Sequence, residues 1–553
     1  MSASLPAEFA TAQQLHRTGR LQEAAAAYAD LLDRDPRAAP VWHMSGVLEC
    51  QCGRLREGAS RFRNAVEIQP DFALAWMDLG AALRELADPA GALACFDRVV
   101  AIDPGHFDAL NNRGEALSAL RRHEEALTSY QAALRIEPWQ AKAMNNAGCA
   151  LLEMGKYQAA LDLFDQAVSV EPRHFGAIAN RGSALHGLGR HDESLAELKK
   201  AIAIEPRYFK AFSNRGSALH ALGRYEESIV QFSKALEIRP DYAEARSHRG
   251  MTLLLLGRFR HGWIDFEARL ASLVDQRRQS LTQPGWRGEE KIEGRTILLY
   301  AEQGLGDTLQ FCRYASLVAA RGARVVLEAQ RELVPLLGTL GCGISVVAKG
   351  EPLPSFELQC PLLSLPLAFG TELSSIPAGA YLSAEPSRIE RWQSSLGEKR
   401  RPRIGLTWSG NPDHRNDRNR SIALQLLLDA IGGIDCDFVS LQKDVRQSDA
   451  AVLAGAYDRL RHFGGELNDF GDTAALASLL DAVVTVDTSV AHLAGALGRP
   501  TWILLPWVPD WRWLLRREDS PWYPTAKLLR QRSAADWSAP LATLRRQLTD
   551  LKL

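Results

Sequence analysis

Apolar positions along this chain follow two rhythms. Up to about residue 272 an aromatic recurs at Tyr28, Phe62, Phe96, Tyr130, Phe164, Phe232 and Phe266, with Leu198 the one substitution in the series. Pro36, Pro70, Pro104, Pro138, Pro172, Pro206 and Pro240 keep the same 34-residue spacing, and so do Gly46, Gly80, Gly114, Gly148, Gly182, Gly216 and Gly250. A small residue returns at Ala92, Ala126, Ala160, Ser194 and Ser228. Self-similarity of this kind predicts a stack of helix–turn–helix units. Small residues let paired helices approach, the aromatic fills the gap, and proline ends the second helix. Beyond a polar stretch at 274–294, apolar residues instead form short runs that alternate with helical spacing, which predicts strands followed by helices. "RTILLYA" is a strand run ending at Ala301, "EQGLGDTLQFCRYASLVAARG" a glycine turn opening a helix, and "ARVVLEA" the next strand. A second start at "PRIGLTWSG" leads to "DFVSLQ", "VTVDTSVAHLAGALGRP" and "TWILLP". The proline-rich, weakly patterned segment from Pro352 to Pro386 is expected to separate two βαβ units, with a ligand cleft between the carboxyl ends of their strands.

Candidate chemistry gathers at the turns. Leu479 to Val486 is a strand run, and Val490 to Leu497 has helical spacing closed by Gly498 and Pro500. Asp487, Thr488 and Ser489 therefore occupy a strand-to-helix turn, where free backbone N–H groups at the positive end of a helix commonly hold phosphate. His492 projects from the same helical face one turn on. A structural reading stands beside this one: Asp487 or Thr488 caps the helix, and His492 is a buried, hydrogen-bonded histidine.

The periodic half resembles the tetratricopeptide repeat from Leu5 to about Ser272, with seven repeats fitting and an eighth, from Ala243, decaying after Gly262. Such repeats form a superhelix whose first helices line a groove for an extended peptide or a protein. Asn112, Asn146, Asn180 and Asn214 fall at equivalent positions two residues before each glycine, so stacking aligns them as a ladder. An amide both donates and accepts, which suits it to peptide backbone. The ladder is similar to that of the O-GlcNAc transferases; the other reading is a tolerated, solvated asparagine. Arg113, Arg181, Arg215 and Arg249 read as solvated or interhelical salt-bridging residues.

"GLGDTLQF", "GLTWSGNP" and "VDTSVAHLAGALGRPTWILLP", in this order, resemble the heptosyltransferase-like glycosyltransferases of family nine over about Arg295 to Gln531. The resemblance implies a GT-B pair of Rossmann-like units and an inverting, metal-independent transfer of sugar from a nucleotide-sugar. It places the acceptor on the first unit and the donor on the second, and it makes Asp307, after Gly304 and Gly306, the likeness to the family's base. Glu302 on the same loop is the reserve, and a helix cap is the alternative role for Asp307. Donor contacts fall on Asp487, Thr488, Ser489 and His492, with Ser409 and Asn411. "NPDHRNDRNRSI" supplies Arg415, Arg418 and Arg420, of which Arg418 or Arg420 matches the cationic phosphate clamp. The first unit is short for that family, and the catalytic motifs of the O-GlcNAc transferases are not evident. Trp511, Trp513 and Trp522 suit either base stacking or, the favoured reading, closure of a core.

Composition narrows the rest. A chain of 553 residues exceeds one core. A formal charge of −1 without basic blocks argues against nucleic acid or a membrane surface as main partner. No run reaches signal-peptide or membrane-span length, so the expected location is cytoplasmic. Eight scattered cysteines offer no metal spacing, and no metal or separate cofactor is expected. The expected fold class is α + α/β multidomain: a repeat array at 1–273, a linker at 274–294, a first α/β unit at 295–395, a second at 396–531 and a terminal helix at 532–553. The expected function is a protein glycosyltransferase whose repeats recruit the acceptor. The alternatives are a repeat scaffold with an inactive α/β remnant, and an enzyme with a saccharide or lipid-linked glycan acceptor.

Overall fold

The structure, a computed structural model, describes residues 5–271, 281–414, 416–456 and 459–550. It divides into two compact units, Met1–Leu219 and His220–Leu553.

Through Leu219 the chain is a run of helix pairs, opening with Leu5–Arg17 and Leu21–Arg34 and repeating on the proline period. The glycine and the aromatic of each repeat belong together. A Cβ on Gly148 would lie 2.6 Å from Phe164 Cε1, so this helix crossing tolerates no side chain there. Leu198 fills the corresponding slot, since a Cβ on Gly182 would meet its Cγ at 2.8 Å. The arginines of the first helices bridge to the second helix of the preceding repeat: Arg113 to Asp97 at 2.6 Å and Arg181 to Asp165 at 3.1 Å.

The second unit opens with helical repeats and ends in two parallel sheets. Its last repeat, Ala243–Leu255 with Phe259–Phe266, is a complete helix pair whose second helix has only 8 residues. That helix tightens into the 3₁₀ turn Glu267–Ala271, where Arg269 enters a buried ion pair instead of continuing the solvent-facing spiral. The first sheet comprises β1 (Thr296–Tyr300), β2 (Arg324–Ala329), β3 (Ile344–Ala348) and β4 (Leu358–Pro361), in the order β3-β2-β1-β4. The second comprises β5 (Arg403–Thr407), β6 (Asp437–Ser440), β7 (Leu460–His462), β8 (Ala482–Val486), β9 (Thr501–Leu505) and β10 (Ala526–Arg530), in the order β10-β9-β8-β5-β6-β7. The pairings between these strands are all parallel, as expected where both faces are covered by helices.

Three boundaries expected from sequence move. The linker expected at 274–294 is not a free tether beyond 281, for Trp286 and Ile292 are buried and Trp286 N–H donates to Gln359 O at 2.7 Å. Its first residues, 274–280, lie outside the described residues. The segment from Pro352 to Pro386 contributes β4, which pairs with β1 inside the first sheet. The helix Pro386–Leu396, expected with the first α/β unit, buries Trp392 and Leu396 against Val439, Leu476 and Val483 of the second. An amphipathic helix goes where its apolar stripe is covered, and here that is the second sheet. The terminal helix Ser538–Thr549 likewise sets Leu541, Leu544 and Leu548 into the core of the second sheet.

A single aromatic core links the last repeat to the first sheet and to the tail. Trp263 meets Trp511 edge-on with centroids 5.3 Å apart, and Phe311 meets Trp522 at 5.7 Å. Trp511, Trp513 and Trp522 are all buried, so they close this core.

Candidate functional site

The turn after β1 leads into the helix Leu305–Phe311, and the turn after β8 leads into the helix Ser489–Ala496. These short helices pack directly on each other. A Cβ on Gly306 would lie 2.9 Å from His492 Cδ2 and 3.6 Å from Ser489 Cα, so only glycine permits this approach. The turns carrying Asp307 and Asp487 thus meet where the carboxyl ends of the two sheets converge.

Asp307 does two things. Its Oδ2 accepts from Gly304 N–H at 2.9 Å and caps the helix. Its Oδ1 is ion-paired with Arg512. Arg512 is buried on the loop after β9, lies over the Trp511 ring at 4.3 Å, and donates to Asp510 Oδ1 at 2.8 Å and Gln310 Oε1 at 2.6 Å. Surrounding carboxylates raise the affinity of its guanidinium for its proton despite burial. Asp487 faces the same cluster. Burial, then the neighbouring Asp510 charge, lifts its carboxyl to about 6, while the Trp513 N–H dipole, Arg420 and Arg512 pull the other way.

Arg420 donates from Nη1 to Asp487 O at 2.9 Å and lies against Gly410, while its buried Nε makes no hydrogen bond among the described residues and lies 3.9 Å from Asp417 Oδ1. Ser409 is buried, held through its backbone by Gln442, and its Oγ is also unpartnered among the described residues. Asn411 is exposed and turns its own loop, accepting from Asp413 N–H at 3.0 Å. Arg418 is exposed, and Arg415 lies outside the described residues. Arg420, rather than Arg418, is therefore the arginine brought to the Asp487 turn.

Thr488 is the buried N-cap residue of its helix, but its hydroxyl makes no capping bond and lies 3.2 Å from Thr485 Oγ1. Ser489 begins the helix beside Gly306. His492 follows the structural reading of a buried, hydrogen-bonded histidine, for its Nδ1 is 2.9 Å from Tyr523 OH and the ring stacks on Trp513. Burial and then the Arg512 charge hold its pKa well below the ordinary value. One expectation is corrected: Glu302 is no cleft-facing base, because it is buried in an ion pair with Arg269 at 2.8 Å and accepts from Leu363 N–H at 3.2 Å. Desolvation raises its carboxyl, against the opposing pull of Arg269.

In the repeats, the asparagine amides point across the stack and bond the preceding repeat. Asn146 Nδ2 donates to Glu115 Oε1 at 3.1 Å and Asn111 Oδ1 at 3.3 Å, Asn180 Nδ2 to Asn145 Oδ1 at 2.9 Å, and Asn214 Nδ2 to Ser183 Oγ at 2.7 Å. Asn112 instead accepts from Arg84 at 3.5 Å. The NH₂ groups of Asn146, Asn180 and Asn214 are therefore engaged within the stack, whereas Asn112 joins it through its carbonyl oxygen.

Sequence reasoning missed Arg512, Asp510 and Tyr523. The available signal was an arginine between two tryptophans, two residues after an aspartate, in "PDWRW". Among the described residues no group of three or more His, Cys, Asp or Glu side chains is arranged to hold a metal, and no helix is long and apolar enough to cross a membrane.

Comparison with known proteins agrees with the helical half. Models of the tetratricopeptide repeat match residues 51–106, 105–170 and 145–209, and a TPR repeat model matches 216–257. Protein FlbA of Caulobacter vibrioides is 24% identical over 310 residues, which is 52% of this chain, and the chain spans only 51% of that protein's length. Among solved structures, a tetratricopeptide repeat protein from Parabacteroides merdae is 16% identical with a TM-score of 0.39, covering 45% of this chain and 98% of its own. TTC0263, a thermophilic TPR protein of Thermus thermophilus, is 24% identical with a TM-score of 0.31, covering 33% and 99%. The helical half is thus built of tetratricopeptide repeats, an architecture that generally binds protein or peptide partners. The remainder is an α/β region with parallel sheets.

Proposed function

We propose that the α/β region is an inverting, metal-independent glycosyltransferase of the GT-B type, acting in the cytoplasm on a protein acceptor bound by the repeats. The observation that carries this reading is the meeting of Asp307 with the Asp487–Arg420 turn at the carboxyl ends of two parallel sheets. Ligands bind there in open α/β folds. In the proposed reaction the acceptor hydroxyl gives its proton to Asp307 while its oxygen forms a bond to the anomeric carbon. The bond from that carbon to the donor phosphate breaks, and its electron pair leaves with the nucleoside diphosphate. Arg420 and the backbone N–H groups at the start of helix Ser489–Ala496 take up that charge.

The test is calorimetric titration with ADP, CDP, GDP and UDP, followed by hydrolysis and transfer assays with the matching nucleotide-sugars. Asp307→Asn retains the helix cap and is expected to lower transfer roughly a hundredfold or more. Near-normal transfer by that variant removes Asp307 from the mechanism. One observation favours a second reading, a repeat scaffold with an inactive α/β remnant: Gly306 lies tightly on His492 and Ser489, and both Asp307 oxygens are occupied. Failure of all four nucleotides to bind selects that reading.

A further inference from the structure

Both oxygens of Asp307 are engaged, so the residue placed as base is masked in this arrangement. We propose that Arg512 is a positioning residue that exchanges its Asp307 partner for the diphosphate of the donor, so that donor binding unmasks the base. The inference rests on the glycosyltransferase reading and names a residue and a coupling that the reading does not contain.

The geometry makes the exchange small. The guanidinium is supported by the Trp511 ring and keeps Nη1 on Asp510 and Nε on Gln310, so only the Nη2 contact has to change partner. Diphosphate is a stronger competitor than a single carboxylate for such a planar donor, because it carries more charge and offers paired oxygens. A second, independent observation points to an acceptor-rich ligand. Gln310 Nε2 and Ser409 Oγ are buried polar groups without a hydrogen-bond partner among the described residues, and Arg420 Nε makes no hydrogen bond there and has Asp417 Oδ1 only at 3.9 Å. Gln310 touches Arg512, and Arg420 bonds the Asp487 turn. Buried donors left in this state are costly unless something satisfies them. The carboxylates facing Arg512 are Asp307, Asp510 and Asp487, and Arg420 is the nearby second cation. Removing one of those carboxylates frees Arg512 for an anion. The consequence is ordered binding, with Asp307 free only when the donor is in place, which limits wasteful chemistry on the acceptor side beforehand.

The experiment is calorimetric titration of the full chain with inorganic pyrophosphate, which all nucleoside diphosphate donors share. Asp307→Asn is expected to bind pyrophosphate roughly tenfold more tightly than the parent, although the residue lies in the catalytic position. Arg512→Gln is expected to bind at least tenfold more weakly, and the gain from Asp307→Asn is expected to vanish in the double variant. Arg512→Lys, which keeps the charge, guards against loss of fold, and melting temperatures are followed throughout. Equal affinity in Asp307→Asn and parent overturns the inference. So does a gain that persists without Arg512, which marks general charge removal. If the parent binds no pyrophosphate the inference falls alone, and the donor reading is decided separately by the nucleoside diphosphate titrations.

Discussion

The repeats and the α/β region handle charge in opposite ways. In the repeats arginines recur at turns as exposed i,i+3 pairs, Arg122 with Glu125, Arg190 with Glu193 and Arg224 with Glu227, the last two one period apart. In the second unit Arg269, Arg313 and Arg512 are buried, and each ties several segments at once. A periodic stack spreads its stability over many similar contacts. A unit assembled from unlike pieces concentrates it in a few polar nodes, and those are also where reactive geometry can be held.

The largest effect that tests this contrast is at Arg313. It donates to the carbonyls of Gln310, Pro377 and Trp522 and to Tyr381 OH, with its guanidinium over the Tyr381 and Tyr523 rings. Arg313→Leu leaves those carbonyls unpaired and is expected to lower the unfolding free energy of the second unit by about 3 kcal/mol or more. Denaturant unfolding measures this, and Arg122→Leu is expected to leave the midpoint unmoved. Equal behaviour of the two variants would erase the contrast.

The second effect is on pH. Asp487, raised from an ordinary 3.8 to about 6, keeps its proton in the folded state after the unfolded chain has lost it. The folded state then binds more protons between about pH 4 and 6, so this residue's contribution to stability falls as pH rises through that window and stays low above it. Asp487→Asn is expected to raise the melting temperature at pH 7.5 and to change it little at pH 4. An equal shift at both values denies the raised titration.

The smallest effect belongs to the ladder. Asn146→Ala removes two bonds to the preceding repeat and is expected to cost about 0.5 to 1.5 kcal/mol in urea unfolding. A loss of peptide affinity with no loss of stability would assign the amide to a partner instead of to the stack.

How much was legible follows the same division. Repeats were readable because Pro36 to Pro240 and Gly46 to Gly250 are enforced by helix ends and helix crossings, which act locally. Strands β1, β2, β5, β6, β8 and β9 announced themselves as apolar runs. β3, β4, β7 and β10 did not: all four are sheet edges, β3 and β7 only half-covered, and β4 hides among prolines. At the site, Asp487 was singled out by its strand-to-helix turn, and Asp307 and the choice of Arg418 or Arg420 by the motif resemblance; the structure places Arg420 on the Asp487 turn. Arg512 was not singled out, because its partner Asp307 is distant in sequence and the tryptophans around it explain themselves as core. Glu302 was placed on the right turn but given the wrong surroundings, and His492 follows the alternative reading of a buried, hydrogen-bonded histidine; their partners Arg269 and Tyr523 come from elsewhere in the chain.

The shared aromatic core has a consequence for anyone dissecting this protein. Phe259 and Trp263 of the last repeat lie in one apolar mass with Trp511, Trp522 and the first sheet. A shortened gene beginning at 295, where the sequence pattern of the first α/β unit starts, would encode a fragment with that mass torn open. The excisable α/β piece must carry the final repeats with it, and the natural place for scissors is the turn before Phe209, ahead of the helix in which the second compact unit begins.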